Sequence, residues 1–382
     1  SGPDQIYHHV KEYLERDGFI KLWYGGKCVC MVVDNKVVKD LLSHPDIFPK
    51  LMLEEQFPNS LIARYYGINV VHSSGDVWKR HRLICNPAFK SLPIQYFDET
   101  GFKLMDVLEK IDNKPIEVRD LMHKVSLDVL GKVAFGLDFN NLEDPTNIYV
   151  TTYNEVQKAI ANPYFIFLPI LNRIPFLNKK RFEKVDKLDN IFDKIVEKKR
   201  ETLANGTENI QGDLLELMLK ACENPENQRL TNIELRHNLG VFMLAGHDTT
   251  ASSLATVLYL LSIHKNVQRK AREEVLKVLG DNLTPSLEQH KSLKYLNMII
   301  NENLRLYPPI AVLPARVTTK EIECRGHVIP AGTCIELFIY GIHHSPKNWV
   351  NPEEFLPERF ENEQHENGEV NSWLGFGDGY RM

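Results

Sequence analysis

Thr231-Asn232-Ile233-Glu234 opens a run that continues without a proline to about His264. The threonine and the glutamate three residues on form a capping box, in which each side chain bonds the other's backbone N–H. The run is far longer than an average globular helix. Its apolar stretches, 241–245 and 254–262, wrap most of the way round. A helix that is apolar on nearly every side is covered on nearly every side, so the sequence predicts one long helix lying through a core.

Helical periodicity dominates the middle of the chain. It predicts helices over 76–84, 97–111, 118–133, 149–160, 179–203 and 213–222, then over 266–279 and 286–306, the last stopped by Pro308-Pro309. An amphipathic helix near 6–14 precedes two strands, 19–24 and 28–33, joined at Gly25-Gly26. Short strands are expected at 322–328 and 333–339, followed by a proline-rich meander over 345–360. The fold class is therefore mainly α with a small β portion. Residues 361–370 are polar, lack periodicity and read as a solvated loop. Residues 163–176 are apolar but broken by three prolines. Two readings of that segment stand level, a packed helix connection and a shallow membrane-contacting patch.

With 382 residues, 43% of them apolar, the chain can bury a large core. A net charge of -5 with scattered basic residues gives no reason to expect nucleic acid as a partner. The six cysteines lack paired ligand spacing, so neither a disulfide scaffold nor a zinc site is indicated. No apolar run reaches the roughly 18 residues of a membrane span. The start at Ser1-Gly2-Pro3 shows neither an initiator methionine nor a signal, and both ends read as cut.

Inside the long helix, Gly246 costs about 1 kcal/mol relative to alanine, and the missing side chain would let a flat group approach. Three positions on, the Thr249 hydroxyl can bond a carbonyl of the preceding turn and loosen the helix, with the Asp248 carboxylate beside it. Alone, these residues read as helix packing. Glu302 and Arg305, three apart on one helix, can pair, and in isolation such a pair is worth little. Trp78 and Arg82 read in the same way as an amphipathic pair.

Four motifs in order, Ala245-Gly246-His247-Asp248-Thr249-Thr250, Glu302-Asn303-Leu304-Arg305, Pro357-Glu358-Arg359-Phe360 and Phe376-Gly377-Asp378-Gly379-Tyr380-Arg381-Met382, resemble the cytochrome P450 monooxygenases of the eukaryotic microsomal type. The resemblance implies a P450 fold in a single domain over 1–382 that lacks its carboxyl-terminal part, with the haem-ligand cysteine expected immediately after Met382 and hence no metal ligand in this chain. It implies proton-relay roles for Asp248 and Thr249 and none for His247. Haem b would be met by Trp78, Arg82, Ala245, Gly246, Arg316, Phe376, Gly377, Gly379 and Arg381. Glu302, Arg305 and Arg359 would form a buried structural network. Gly375 departs from the family pattern, where proline is commoner.

The implied activity is insertion of one oxygen atom from O2 into a small lipophilic substrate, with electrons from NADPH through a separate NADPH-cytochrome P450 reductase. Lys79 and Arg80 are docking candidates for it, and residues 57–71, 241–249 and 310–314 are expected to line the pocket. The resemblance favours membrane contact for 163–176 and a place on the cytosolic face of the endoplasmic reticulum membrane. An alternative is a catalytically inactive P450-like scaffold or binding protein that has lost its haem site; the fragment alone is expected to be inactive.

Overall fold

The computed structural model describes residues 2–24, 27–89, 93–112, 114–205, 213–223, 230–361 and 372–379. The Gly25-Gly26 junction, the expected loop at 361–370 apart from Glu361, and Arg381 lie outside them. In chain order the helices are α1 (Pro3–Asp17), α2 (Asn35–Ser43), α3 (Leu53–Gln56), α4 (Leu61–Tyr66), α5 (Gly75–Cys85), α6 (Ile94–Ile111), α7 (Val118–Leu130), α8 (Ile148–Ile160), α9 (Pro163–Phe167), α10 (Pro175–Ala204), α11 (Leu214–Glu223), α12 (Asn232–Ile263), α13 (Lys265–Leu279), α14 (Leu287–Ser292), α15 (Lys294–Leu306) and α16 (Ile339–His343). The strands are β1 (Phe19–Tyr24), β2 (Lys27–Val32), β3 (Arg316–Val317), β4 (Ile322–Cys324), β5 (His327–Ile329) and β6 (Cys334–Leu337). The expected mainly helical fold with a small sheet is what forms.

The chain packs into two compact units, one of Ser1–Leu22, Cys28–Pro49 and Thr249–Met382, the other of Trp23–Lys27 and Lys50–Asp248. In the first, β2 and β6 pair in parallel with Val29 opposite Cys334, and β3 runs antiparallel to β6 with Arg316 opposite Ile335. Four strands are ordered β1-β2-β6-β3, and β4 and β5 form a separate hairpin. Tyr7, Leu14, Val38, Leu41, Phe338 and Ile342 form the buried centre. Burying side chains on one face of a helix and both faces of a short strand is what holds so small a sheet.

The second unit is helical. Its core joins Leu61, Tyr65 and Tyr66 of α4 to Leu127 of α7, Tyr153 and Val156 of α8, Leu188 of α10, Leu215 and Met218 of α11 and Leu239 of α12. Much of 57–71 is thus core packing. The capping box forms as read: Thr231 N–H donates to Glu234 Oε2 at 2.9 Å and Glu234 N–H to Thr231 Oγ1 at 3.2 Å.

Two expected helices differ. The helix over 118–133 gives way at Gly131–Phe135 to a π-turn. The helix over 286–306 is broken at Leu293, because the Glu274 carboxylate of α13 accepts from the N–H groups of Tyr295 and Leu296 at 2.8 and 3.0 Å and starts α15 afresh.

Candidate active site

Residues 245–250 of α12 are α-helical without a break. The Thr249 carbonyl accepts from Ser253 Oγ one turn on, at 3.0 Å. Ala245 is exposed, Gly246, Asp248 and Thr249 half-buried, and His247 buried. A Cβ on Gly246 would stand 2.7 Å from Leu130 Cδ1 of α7, so within this unit the missing side chain admits a leucine. Asp248 is flanked by two imidazoles: its Oδ1 lies 2.9 Å from His247 Nδ1 and 3.5 Å from His123 Nδ1. Neither histidine was singled out by the sequence, since His247 occupies the variable position of its motif and His123 belongs to none.

Trp78 and Arg82 lie one turn apart on α5, the indole buried and the guanidinium half-buried. Between them, Arg80 turns towards Glu234, donating at 3.1 and 2.5 Å. Burial alone would raise the Glu234 pKa, but the bonds from Arg80 and Thr231 outweigh it and hold the carboxyl at about 2. Arg80 is thereby committed to its own unit, whereas Lys79 is exposed and pairs with Asp76 at 3.3 Å.

In the first unit Glu302, Arg305 and Arg359 come together. Glu302 and Arg305 are both 0% exposed and pair two-pronged, Nε to Oε2 at 2.7 Å and Nη2 to Oε1 at 2.8 Å. The three remaining Arg305 N–H groups go to the carbonyls of His343 (2.8 Å), Pro352 (2.7 Å) and Glu354 (3.2 Å), so all five donors are used. Glu302 Oε1 also accepts from Leu356 N–H at 3.0 Å and Arg359 Nε at 3.2 Å. Arg359 donates onward to the carbonyls of Val350 and Asn351. A buried charge survives only when paired and fully bonded, and this one is.

At the carboxyl end Gly377 and Gly379 take left-handed φ values of +80° and +77°, a conformation other residues adopt at a cost. A Cβ on Gly379 would meet the Leu42 carbonyl oxygen at 2.6 Å, while one on Gly377 would meet nothing. Phe376 is exposed, and Trp373 packs over Gly375, where a Cβ would lie 2.5 Å from the indole. None of the six cysteines is in a disulfide, and burial pushes the Cys85 and Cys324 thiols up to about 12, away from thiolate chemistry.

Arg316 is 4% exposed, with Nη1 donating to the Leu41 and Phe48 carbonyls at 2.8 and 3.4 Å. Among the described residues no carboxylate pairs with it, and burial lowers its pKa to about 10. A buried guanidinium served only by carbonyls calls for an anion.

A family model for cytochrome P450 matches residues 2–382. Similar relatives include cytochrome P450 3A25 of Mus musculus, 30% identical over 358 residues covering 88% of this chain and 70% of that one. Cytochrome P450 3A11 of the same species is 30% identical over 379 residues, 94% of this chain and 73% of that one. Among solved structures, the crystal structure of the cytochrome P450DA heme domain superposes with a TM-score of 0.81 at 21% identity, over 100% of this chain and 82% of that one. The chain belongs to the cytochrome P450 family, and its fold is the family's. That family and fold are those of haem-thiolate monooxygenases. Haem carries two propionate carboxylates, and the unpaired Arg316 cation is a donor of the kind they require.

Proposed function

We propose that the protein is a monooxygenase that inserts one oxygen atom from O2 into a small lipophilic substrate, using haem b and electrons passed from NADPH by NADPH-cytochrome P450 reductase. The observation that carries this reading is the acid and hydroxyl of Asp248 and Thr249, adjacent on an unbroken stretch of α12. When bound, haem supplies the reductive activation of O2. Asp248, part-exposed and flanked by imidazoles, accepts protons from water and returns them; Thr249 offers its hydroxyl as the next donor along the helix. Arg82, Arg316 and Arg381, with Trp78, would hold carboxylates of the cofactor, Ala245 and Gly246 would be its neighbours on α12, and Phe376, Gly377 and Gly379 would shape the loop expected to precede its thiolate ligand. Glu302, Arg305 and Arg359 keep the fold around that loop and take no part in proton transfer. Residues 1–382 are read as one domain because the family match runs through nearly all of them.

Membrane contact is proposed for 163–176, where Tyr164, Leu168, Ile170 and Phe176 are 69%, 52%, 61% and 78% exposed. An apolar surface of that kind marks an interface, and among the described residues no helix is long and apolar enough to cross a membrane. The endoplasmic reticulum's cytosolic face follows from the resemblance to the microsomal branch, and Lys79 remains a docking candidate for the reductase, while Arg80 does not. The test is turnover of a panel of lipophilic compounds by the protein reconstituted with reductase in lipid vesicles. NADPH-dependent appearance of hydroxylated product supports the proposal; NADPH use without any oxygenated product across the panel argues against it.

A further inference from the structure

We propose that His123, His247 and Asp248 form a binding site for a divalent transition-metal ion, zinc foremost, whose occupation would take Asp248 out of proton transfer. These three side chains offer ligand atoms within 4.8 Å of one another. His123 Nδ1 stands 3.1 Å from His247 Nε2 and 3.5 Å from Asp248 Oδ1. Nitrogen and oxygen ligands about 2.0–2.2 Å from a tetrahedral zinc lie about 3.4 Å from each other, close to these two separations; the third pair lies within 4.8 Å, so a small turn of one side chain closes the set. Two imidazoles and a carboxylate are also the donor set that favours zinc and its first-row neighbours over magnesium or calcium.

A second observation points the same way. His247 is 4% exposed, yet its Nδ1 makes no hydrogen bond although Asp248 Oδ1 is 2.9 Å away. The imidazole is held edge-on by Tyr153, with ring centroids 5.8 Å apart. Asp120 pairs with Lys124 at 2.8 Å, so these two neighbours offset each other and leave the Asp248 charge for a cation. A cavity of about 380 Å³, lined by the three residues and by Asn141, Asn154 and Gln157, gives an entry path and room for water as a fourth ligand.

The test is dialysis of tag-free, haem-loaded protein against micromolar zinc chloride, with the metal quantified and its ligands read at the zinc absorption edge, which the haem iron does not obscure. One zinc per chain in a nitrogen and oxygen shell is expected. Affinity should fall at least about tenfold in His123→Ala and in His247→Ala, since losing even an outer-shell partner costs that much. Substoichiometric zinc in the wild type would overturn the site, as would zinc retained with unchanged affinity in both variants; the two rings would then simply share a hydrogen bond. Should His247→Ala fail to load haem, the half-exposed His123→Ala decides. The readout is metal content, so it stands apart from whether the enzyme turns over.

Discussion

The backbone N–H of Leu374 donates to His343 Nε2 at 2.8 Å, and the opposite ring nitrogen, Nδ1, donates to the Arg305 carbonyl at 3.1 Å. With one nitrogen accepting and the other donating, His343 is held as a single neutral tautomer. Arg305 Nη1 donates in turn to the His343 carbonyl. The Glu302-Arg305-Arg359 network therefore reaches, through one buried imidazole, Leu374, the residue that precedes the Gly375 to Gly379 turn.

That imidazole sets an acid limit on stability. Burial foremost, with Arg305 and His344 nearby, lowers the His343 pKa to about 3, whereas an unfolded histidine titrates near 6.5. Between those values the unfolded chain binds a proton that the folded chain refuses, so stability falls as pH drops from about 6.5 towards 3, by at most about 5 kcal/mol for this group. Denaturant midpoints measured from pH 7 to pH 4 should decline less steeply in His343→Gln than in the wild type. Parallel slopes would mean that the ring does not titrate in this way.

Arg305→Ala removes five donors and leaves Glu302 buried without its main partner, a loss of roughly 3–5 kcal/mol. Arg305→Lys should fare little better, because three ammonium protons cannot replace a planar two-pronged fork. Thermal unfolding and haem content of both variants check this, and a lysine variant with wild-type stability would refute the geometric argument.

Gly379→Ala and Gly377→Ala share the same left-handed backbone cost of about 1–2 kcal/mol, but only the first also meets backbone, the Leu42 carbonyl oxygen at 2.6 Å. The expected order is clear destabilisation at 379 and a mild loss at 377. Equal melting temperatures for the two variants would contradict the contact.

Thr249→Ala should keep haem content near normal while more of the NADPH consumed appears as hydrogen peroxide. Peroxide yield per NADPH is the measurement, and coupling equal to the wild type would remove Thr249 from the proton path.

Much of this was legible in the residues because the signals were local. The capping box at Thr231 and Glu234 set the start of α12, and the spacing of Glu302 and Arg305 placed them on one face. What the sequence hid was long-range. Glu274 caps α15 from the preceding helix, His343 joins the network from 38 residues away, and His123 meets His247 across 124 positions; none of these has a local pattern. Gly246 carries an unusual cost inside a helix, and the neighbour that approaches it within its unit is Leu130, on α7.

The most direct test is the reduced, carbon monoxide-bound absorption spectrum of the protein expressed from its full coding sequence. A Soret band at the red-shifted position of a thiolate-ligated haem is the predicted result. Absence of haem, or an unshifted band, would contradict the proposed monooxygenase and leave a P450 fold without its chemistry.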